Sequence, residues 1–210
     1  MMIVIIDYGT GNLRSIQSKF ERLKIEATVA SKAAEILAAD KLVFPGIGHF
    51  ETSMATLEES GLIPALEEKV IQEQTPLLGI CLGMQMLTRG SEESPRPGLG
   101  WIAGETKRFI LPLNPGQRPL RIPHMGWNNV SIKQASPLVE NLPEDTRFYF
   151  AHSYYVTADS PEHIAATTWY GHDFVSMICQ GNIWATQFHP EKSHRAGLQI
   201  IRNFADLNAL

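Results

Sequence analysis

The first half of the chain alternates short apolar runs with segments whose apolar residues recur at helical spacing. The unbroken apolar run over residues 2–6 predicts a strand buried on both faces, and a turn-rich segment beginning at Asp7 follows it. Asn12 is predicted to cap a first helix that runs to about Lys24. The apolar side chains of this helix repeat along one face: Leu13, Ile16, Phe20 and Leu23.

The alternation continues to the middle of the chain and indicates the fold class. Further strands are predicted over residues 26–30, 41–44 and 76–80, with a helix over residues 63–72. Strands that alternate with helices are typical of a parallel sheet with helices on both faces. The predicted fold is therefore α/β, an open and mostly parallel twisted sheet flanked by helices.

The second half of the chain carries shorter apolar stretches that proline and glycine interrupt. Residues 118–126 are one such stretch and are typical of connecting loops and an edge hairpin. Residues 174–180 and 183–188 flank Gly181 and Asn182. Glycine at the first central position is what a type II′ turn requires, so a β-hairpin is predicted in this C-terminal half.

The end of the chain predicts a closing helix over residues 197–207, with Leu198, Ile201 and Phe204 on the face that packs against the sheet. No internal repeat, linker or low-complexity segment interrupts the sequence. A length of 210 residues is ordinary for one domain, and residues 1–210 are predicted to form a single one.

Composition and charge exclude several classes of partner. Lys and Arg number 18 against 22 Asp and Glu, and the net charge of −4 offers no basic field for nucleic acid or an anionic membrane. The run over residues 2–6 is far shorter than the roughly 20 residues of a membrane span, and no signal peptide or anchor is predicted. The two cysteines, Cys81 and Cys179, suit neither a disulfide framework nor a zinc site. A cytoplasmic protein without a metal site is therefore predicted.

Cys81 is the first candidate for chemistry. It lies between Gly79 and Gly83, directly after the run that predicts a strand and before a helical pattern. Glycines two residues before and after it allow a strained strand-to-helix turn, which is a nucleophile elbow with sulfur in place of the serine oxygen. The helix N-terminus behind the sulfur favours the thiolate over the thiol. The sequence therefore predicts a nucleophilic Cys81.

A nucleophilic thiol needs a base, and seven histidines compete for this role. His189 stands out because Pro190 biases it toward an extended backbone, in which residues two apart project to the same side. Glu191 can then orient the imidazole of His189. A triad of Cys81, His189 and Glu191 is therefore predicted.

Two glycine-containing loops are further candidates for binding. Residues 44–49 follow the third predicted strand, at the sheet edge where ligands of open α/β folds bind, so a backbone N–H here could stabilise an oxyanion. The N–H of Leu82, directly after the nucleophile, is the second candidate donor. Residues 9–14 resemble a dinucleotide fingerprint, but Arg14 occupies the third glycine position and NAD binding is excluded. No cofactor is predicted.

Together these motifs resemble those of the class I glutamine amidotransferases. The resemblance is carried by the cysteine elbow over residues 79–85, the loop over residues 45–48 and the segment over residues 188–191. Four segments, spread from end to end of the chain, are similar to the glutaminase subunits that act in histidine biosynthesis: residues 6–15, 123–128, 151–154 and 188–193.

The resemblance implies a reaction and a set of site residues. Cys81 would attack the side-chain amide of L-glutamine, His189 would move the protons and Glu191 would steady the imidazole. A glutamyl thioester then forms, and water releases glutamate. Ile47 and Leu82 match the donors of the family's oxyanion hole. The remaining implied contacts are to the glutamine substrate: Gly48, Gln85, Glu93, Ser153 and Tyr154.

The resemblance also implies a partner. In this family, ammonia passes to a (β/α)8-barrel cyclase subunit. The cyclase combines it with a phosphorylated ribulosyl aminoimidazole carboxamide nucleotide to give imidazole glycerol phosphate and an aminoimidazole carboxamide ribotide. The residues expected to face the cyclase in a heterodimer are Asn12, Met125, Trp127 and Lys192. Glycines around Ile47 let its peptide rotate at small steric cost, so its N–H could point away from the oxyanion until the partner or its ligand turns it. Glutaminase activity is therefore expected to depend on the partner.

Three other interpretations stay open. The chain could be an amidotransferase subunit for a different acceptor, such as those of surface-sugar, anthranilate or aminodeoxychorismate synthesis. It could be a catalytically silent module that binds a partner through the same surface, although an intact Cys81, His189 and Glu191 argue against this. It could also be a self-contained cysteine hydrolase of γ-glutamyl compounds. Residues 7–12 and 123–128 favour the enzyme of histidine biosynthesis.

Overall fold

A mixed β-sheet of twelve strands crosses the part of the chain that the computed structural model describes, residues 1–111 and 119–207. In chain order the strands of the molecule are β1 (Ile3–Ile6), β2 (Ala27–Ala30), β3 (Lys41–Gly46), β4 (Leu77–Cys81), β5 (Gly90–Ser91), β6 (Ser94–Pro97), β7 (Gly104–Arg108), β8 (His124–Asn129), β9 (Ser131–Ile132), β10 (Arg147–His152), β11 (Tyr154–Ala158), β12 (Ile164–Trp169), β13 (Asp173–Gln180) and β14 (Ile183–Thr186). The α-helices are α1 (Leu13–Leu23), α2 (Ala33–Leu37), α3 (Phe50–Ser60), α4 (Ile63–Glu67), α5 (Leu82–Met86) and α6 (His194–Asp206). A π-helical turn covers Glu68–Gln72, and 3-10 turns cover Pro137–Val139, Pro161–His163 and Pro190–Lys192.

The four strands of the first half of the chain, β1 to β4, form the parallel part of the sheet together with β14. Its strand order is β2-β1-β3-β4-β14, and every neighbouring pair in this order is parallel. Antiparallel pairs through β13, β11 and β7 extend the sheet, and β5 and β6 form its far edge. β8 and β10 pair in a separate two-stranded sheet. The predicted class is confirmed: a sheet flanked by helices, with a hairpin in the C-terminal half.

Side chains of the central strands alternate between two apolar cores, one on each face of the sheet. Val4 and Ile6 of β1 point into one core, which α3 covers, while Ile3 and Ile5 point into the other, which α1 and α6 cover. This alternation explains why the run over residues 2–6 carries no polar position, since both of its faces are buried. The carboxyl ends of β3, β4 and β14 are thereby fixed side by side.

The predicted elements are found with small corrections at their ends. The first helix ends at Leu23, and Lys24 takes the left-handed conformation at φ 58°. Asn12 occupies the N-cap position, but its side chain makes no capping hydrogen bond. The helix predicted over residues 63–72 is regular only to Glu67 and continues as the π-helical turn.

The predicted hairpin is β13 and β14, in which Gln180 pairs with Ile183. Gly181 has φ 58° and Asn182 keeps a negative φ, which matches a type II′ turn and not type I′. The second strand is shorter than predicted and ends at Thr186. Arg118, the first residue of the stretch predicted over residues 118–126, lies outside the described residues.

The closing helix begins three residues before its predicted start. A 3-10 turn leads into α6 at His194, and Gly197 packs so closely on this turn that a Cβ there would lie 1.8 Å from the carbonyl oxygen of Pro190. Hydrophobic periodicity could not reveal this contact, because glycine carries no apolar side chain. The buried face includes Ile200, Ile201 and Phe204, while Leu198 is only half-buried.

Candidate active site

The backbone strain of the elbow falls on Cys81 itself. Cys81 ends β4 and precedes α5 with φ 54° and ψ −109°, a conformation that non-glycine residues rarely adopt. Gly79 and Gly83 serve a different purpose from the turn freedom expected of them, because neither has a positive φ. A Cβ at Gly83 would lie 2.0 Å from the carbonyl oxygen of Phe44, and one at Gly79 would lie 2.9 Å from Leu87 Cδ1. The two glycines therefore let α5 and the neighbouring chain approach the elbow closely.

His189 is buried beside the elbow, on the segment that follows β14. Its backbone is extended, with φ −97° and ψ 97°, as the following proline predicts. Nδ1 of His189 lies 2.8 Å from Oε1 of Glu191, and both side chains are almost fully buried. The main-chain N–H of His189 donates to the Tyr149 carbonyl, and Ser193 Oγ donates to the His189 carbonyl. Hydrogen bonds to both the side chain and the backbone of His189 thus fix the position of the imidazole.

The electrostatics favour a charged imidazole at His189. Burial alone would lower its pKa, but the charge of Cys81, a hydrogen bond to Cys81 and the Glu191 carboxylate together raise the pKa from 6.5 to about 10. Since Nδ1 faces Glu191, Nε2 is the nitrogen left for the sulfur. The arrangement therefore suits an imidazolium paired with a thiolate, which is the reactive form of a cysteine nucleophile.

A cleft of about 490 Å³ opens in front of Cys81 and His189. It brings together most of the residues that the resemblance assigned to the oxyanion hole, the substrate and the cyclase. Those that line it are Ile47, Gly48, Leu82, Gln85, Glu93, Met125, Ser153, Tyr154 and Lys192. Glu191 lies behind His189, and Asn12 and Trp127 lie away from the cleft wall.

Gln85 is fixed by bonds that use both hydrogens of its amide. Nε2 donates to the Tyr154 carbonyl and to Oε1 of Gln187, each over 3.1 Å. Gln187 in turn points its Nε2 at Cys81 Sγ, 3.7 Å away. Oε1 of Gln85 is therefore the atom left to accept a hydrogen bond from a ligand. Gln187 was not predicted as a site residue, although its position two residues before His189 was the available signal.

Glu93 lines the cleft, and its carboxylate also binds the first N–H of α3. Oε1 lies 3.0 Å from His49 Nδ1, and Oε2 accepts the main-chain N–H of Phe50 over 2.9 Å. Because the loop with Ile47 and Gly48 leads directly into α3, the Glu93 carboxylate also helps to fix the end of this loop. Gly48 has φ 93° and open space around it.

Two side chains of β8 are exposed, Met125 in the cleft wall and Trp127 two residues farther along the strand. Met125 is 64% exposed and Trp127 is 38% exposed. The indole of Trp127 stacks on His194, with ring centroids 4.9 Å apart and planes 2° from parallel. Lys192 Nζ lies 5.7 Å from the ring centroid of Tyr149. Surface aromatics and methionine of this kind are typical of protein interfaces.

The family follows from comparison with known proteins. The model of the family described as "Glutamine amidotransferase class-I" matches residues 4–207. The chain belongs to the class I glutamine amidotransferases. Membership of this family confirms the enzyme class expected from the sequence.

Similar proteins cover the chain almost completely. It is 46% identical over 203 residues to "Imidazole glycerol phosphate synthase subunit HisH 2" of Methanococcus maripaludis, covering 97% of this amidotransferase and 98% of the relative. It is 41% identical over 206 residues to the protein of the same name in Pseudomonas aeruginosa, covering 98% and 100%. A crystal structure of a glutamine amidotransferase, 21% identical, has a TM-score of 0.72 and covers 97% of this chain and 99% of its own, which supports the fold.

None of the helices within residues 1–111 and 119–207 has the length and apolar character to cross a membrane. In the same ranges, no three His, Cys, Asp or Glu side chains come together in a group that could hold a metal ion.

Proposed function

We propose that this chain is the glutaminase subunit of an imidazole glycerol phosphate synthase and that it hydrolyses L-glutamine at Cys81. The observation that carries the proposal is the buried pair of His189 and Glu191 at 2.8 Å, placed beside a strained cysteine at the base of a cleft. The names of relatives 41% and 46% identical over nearly the whole chain support the assignment to histidine biosynthesis.

The first half of the reaction is the transfer of the glutamyl group to sulfur. Cys81 Sγ attacks the side-chain carbonyl carbon of glutamine, and the carbonyl oxygen becomes an oxyanion. The N–H groups of Leu82 and Ile47 stabilise this oxyanion; Leu82 is the first residue of α5, where the helix supplies no acceptor for its N–H. His189 then gives its proton to the leaving nitrogen, so the C–N bond breaks, ammonia departs and a thioester remains.

The second half releases glutamate. Water attacks the thioester carbonyl while the neutral His189 takes one of its protons. The tetrahedral intermediate collapses with loss of the sulfur, which returns as the thiolate beside the imidazolium. Glu191 orients His189 in both halves through the bond at Nδ1.

The opposite end of glutamine carries an ammonium and a carboxylate, which require their own partners. Oε1 of Gln85 and the Glu93 carboxylate accept hydrogen bonds from the ammonium. Gly48, Ser153 and Tyr154 supply main-chain contacts along the cleft wall. These contacts place the side-chain amide over Cys81.

The ammonia is delivered to a cyclase subunit with a (β/α)8 barrel. Asn12, Met125, Trp127 and Lys192 form the surface that faces this partner. We further propose that residues 1–210 act as one domain in the cytoplasm, where a reducing environment keeps Cys81 as a free thiol.

Glutamine hydrolysis measured with and without the cyclase and its nucleotide tests the proposal, in the parent chain and in Cys81→Ala. The parent is expected to turn over slowly alone and about 10²–10³-fold faster with cyclase and nucleotide, the magnitude that one oxyanion donor supplies. Cys81→Ala is expected to be inactive in both conditions. Acid quenching of the parent followed by mass spectrometry should show a glutamyl adduct on Cys81.

Other outcomes identify the alternatives. Hydrolysis that persists in Cys81→Ala would contradict the mechanism. Equal rates with and without the cyclase would favour a self-contained hydrolase. Stimulation by the partner of a different amidotransferase, with none by the cyclase, would show that the chain supplies ammonia to a different acceptor.

A further inference from the structure

A buried pair of histidines lies beside the cleft and has no part in the proposed reaction. His124 of β8 and His152 of β10 are directly paired in the two-stranded sheet, and they are 3% and 5% exposed. Nδ1 of His124 lies 3.0 Å from Nε2 of His152. Outside this pair, His152 Nδ1 lies 2.6 Å from the Tyr154 carbonyl oxygen, and His124 Nε2 lies 3.2 Å from Nδ2 of Asn128.

The partners at the two ends fix where the protons are. A carbonyl oxygen can only accept, so His152 Nδ1 carries a hydrogen. At the other end, Asn128 Nδ2 also donates to the Trp169 carbonyl, and Asn128 Oδ1 accepts the N–H of Asn129, so this amide presents a donor to His124. His124 Nε2 must then accept, its Nδ1 donates, and His152 Nε2 accepts. Both rings are neutral and both carry their hydrogen on Nδ1.

An added proton has no place in this chain of hydrogen bonds. If His152 were charged, both of its nitrogens would donate, His124 would have to turn its hydrogen toward Nε2, and that hydrogen would meet the Asn128 amide donor. The surroundings agree, since Phe150 and Tyr170 stack on His124, and Phe109 and Phe174 pack against His152. Burial lowers the pKa of His124 to about 4. Burial lowers the pKa of His152 to about 3, with the hydrogen bond to the Tyr154 carbonyl opposing the shift and nearby His124 and His189 adding to it. No carboxylate among the described residues is hydrogen-bonded to either ring.

The chain of bonds ends at the glutamine site. The Tyr154 carbonyl that accepts from His152 also accepts Nε2 of Gln85, and Gln85 leads through Gln187 to the sulfur of Cys81. The other end of this chain of hydrogen bonds lies on β8. There His124 is buried, while Met125 and Trp127 are exposed on the opposite face of the strand. The histidine pair therefore connects the strand expected to face the cyclase with the residue expected to accept from the glutamine ammonium.

We propose that His124 and His152 are positioning residues of the glutamine site, two neutral imidazoles that hold the Tyr154 carbonyl, and through it Gln85, at a fixed distance from strand β8. The proposal rests on the proposed function, because it assigns Gln85 to substrate. It explains why two histidines rather than two apolar residues fill this wall: a ring with a donor on one nitrogen and an acceptor on the other can continue a directional chain, which an apolar side chain cannot.

The first test measures L-glutamine affinity by calorimetry in full-length Cys81→Ala with cyclase bound, so that binding is separated from turnover. His152→Phe keeps an aromatic ring but loses both bonds, and we expect the Kd to rise at least about 10-fold, the effect of losing one buried hydrogen bond. His152→Asn keeps a donor near the position of Nδ1 and should recover most of the affinity. His124→Phe should weaken binding and His124→Asn should restore it. Circular dichroism establishes that each variant is folded.

The second test reads the tautomers directly and needs no activity. Nitrogen-15 spectra of the labelled full chain should show both histidines neutral at pH 6, with the hydrogen on Nδ1. A folded His152→Phe that binds glutamine within twofold of its parent, or a hydrogen on Nε2 in either ring, would overturn the proposal while the proposed function stands. If Cys81→Ala with cyclase bound binds no glutamine, the proposed function itself fails and the positioning role fails with it.

Discussion

At the scale of single residues, the buried histidines determine how the fold responds to acid. Each is neutral in the folded chain down to a pKa of about 4 for His124 and about 3 for His152, whereas an unfolded histidine takes up its proton near pH 6.5. Between these values the unfolded state binds more protons than the folded state, so the free energy of unfolding falls as pH falls. The expected slope approaches about 1.4 kcal/mol per pH unit for each histidine.

Urea unfolding from pH 7.5 to 5 checks this dependence in the parent and in the double variant His124→Asn, His152→Asn. The variant lacks both titrating groups, so its stability should fall less steeply below pH 6.5, and the difference between the two proteins should stay constant above pH 7. Parallel curves across the whole range would show that the two rings take up their protons at the same pH in the folded chain as in the unfolded chain.

The same residue scale shows where sequence reasoning stops. The extended backbone of His189 and its approach to Glu191 could be predicted, because a following proline and a spacing of two are local signals. The pairing of His124 with His152 could not, since 28 positions separate them and only the register of β8 against β10 joins them. Gln187 lies between these cases. Its spacing of two residues from His189 is a local signal that the two side chains project to the same side, but its distance to the sulfur of Cys81 could not be predicted.

At the scale of elements, the elbow depends on how closely α5 approaches β3. Gly83→Ala would place a methyl group 2.0 Å from the Phe44 carbonyl oxygen, which is backbone of β3 and cannot rotate away. Either α5 or β3 must move, and β3 leads into the loop with Ile47. We therefore expect glutaminase kcat/KM to fall by about 10²-fold or more and stability to fall by about 2–4 kcal/mol, as for overpacked cores and strained backbones.

Gly90→Ala is the matched control, because a Cβ at Gly90 has only one neighbour, Oε2 of Glu105 at 3.8 Å, and its φ is not positive. This variant should keep both activity and unfolding midpoint close to those of the parent. Steady-state glutamine hydrolysis with cyclase present and urea unfolding give the two readouts. Equal behaviour of the two variants would mean that the close approach at Gly83 is unimportant for the elbow.

Some of the strands and helices could be predicted from the sequence and others were missed, and the difference has a physical reason. Strands buried on both faces, such as β1 and β4, are continuous apolar runs and could be found from sequence. α3 was not predicted, although Phe50, Met54 and Leu57 have helical spacing and are buried. The antiparallel extension through β11 and β7 was missed because its strands mix polar and apolar positions and pair over distances that no local pattern encodes.

At the scale of the whole molecule, the cleft and the expected cyclase surface occupy the same edge of the sheet. Cys81 ends β4, the loop with Ile47 follows β3 and His189 follows β14, so the carboxyl ends of three neighbouring parallel strands supply the chemistry. Met125 and Lys192 line the cleft and are exposed. A partner seated on these side chains would cover the cleft mouth, as the proposed delivery of ammonia requires.

Two exposed tryptophans allow this surface to be tested with a matched pair. Trp127 lies on β8, two residues after Met125 of the cleft wall, and is supported by its stack on His194, whereas Trp169 ends β12 and is 58% exposed. A supported aromatic at the centre of an interface typically contributes 2 kcal/mol or more, so Trp127→Ala should raise the Kd for the cyclase by about 30-fold. Trp169→Ala removes the same side chain from a place with no expected contact and should change the Kd by less than about threefold. Calorimetric titration of each full-length variant with cyclase decides between them, and a larger loss in Trp169→Ala would place the partner's contact at Trp169 and not at Trp127. The proposed stimulation depends on bound cyclase and its nucleotide, so Trp127→Ala should regain the parent's stimulated rate when, with the nucleotide present, the cyclase is raised above its new Kd. A rate that stays low at saturation would show that Trp127 acts on the site as well as on binding.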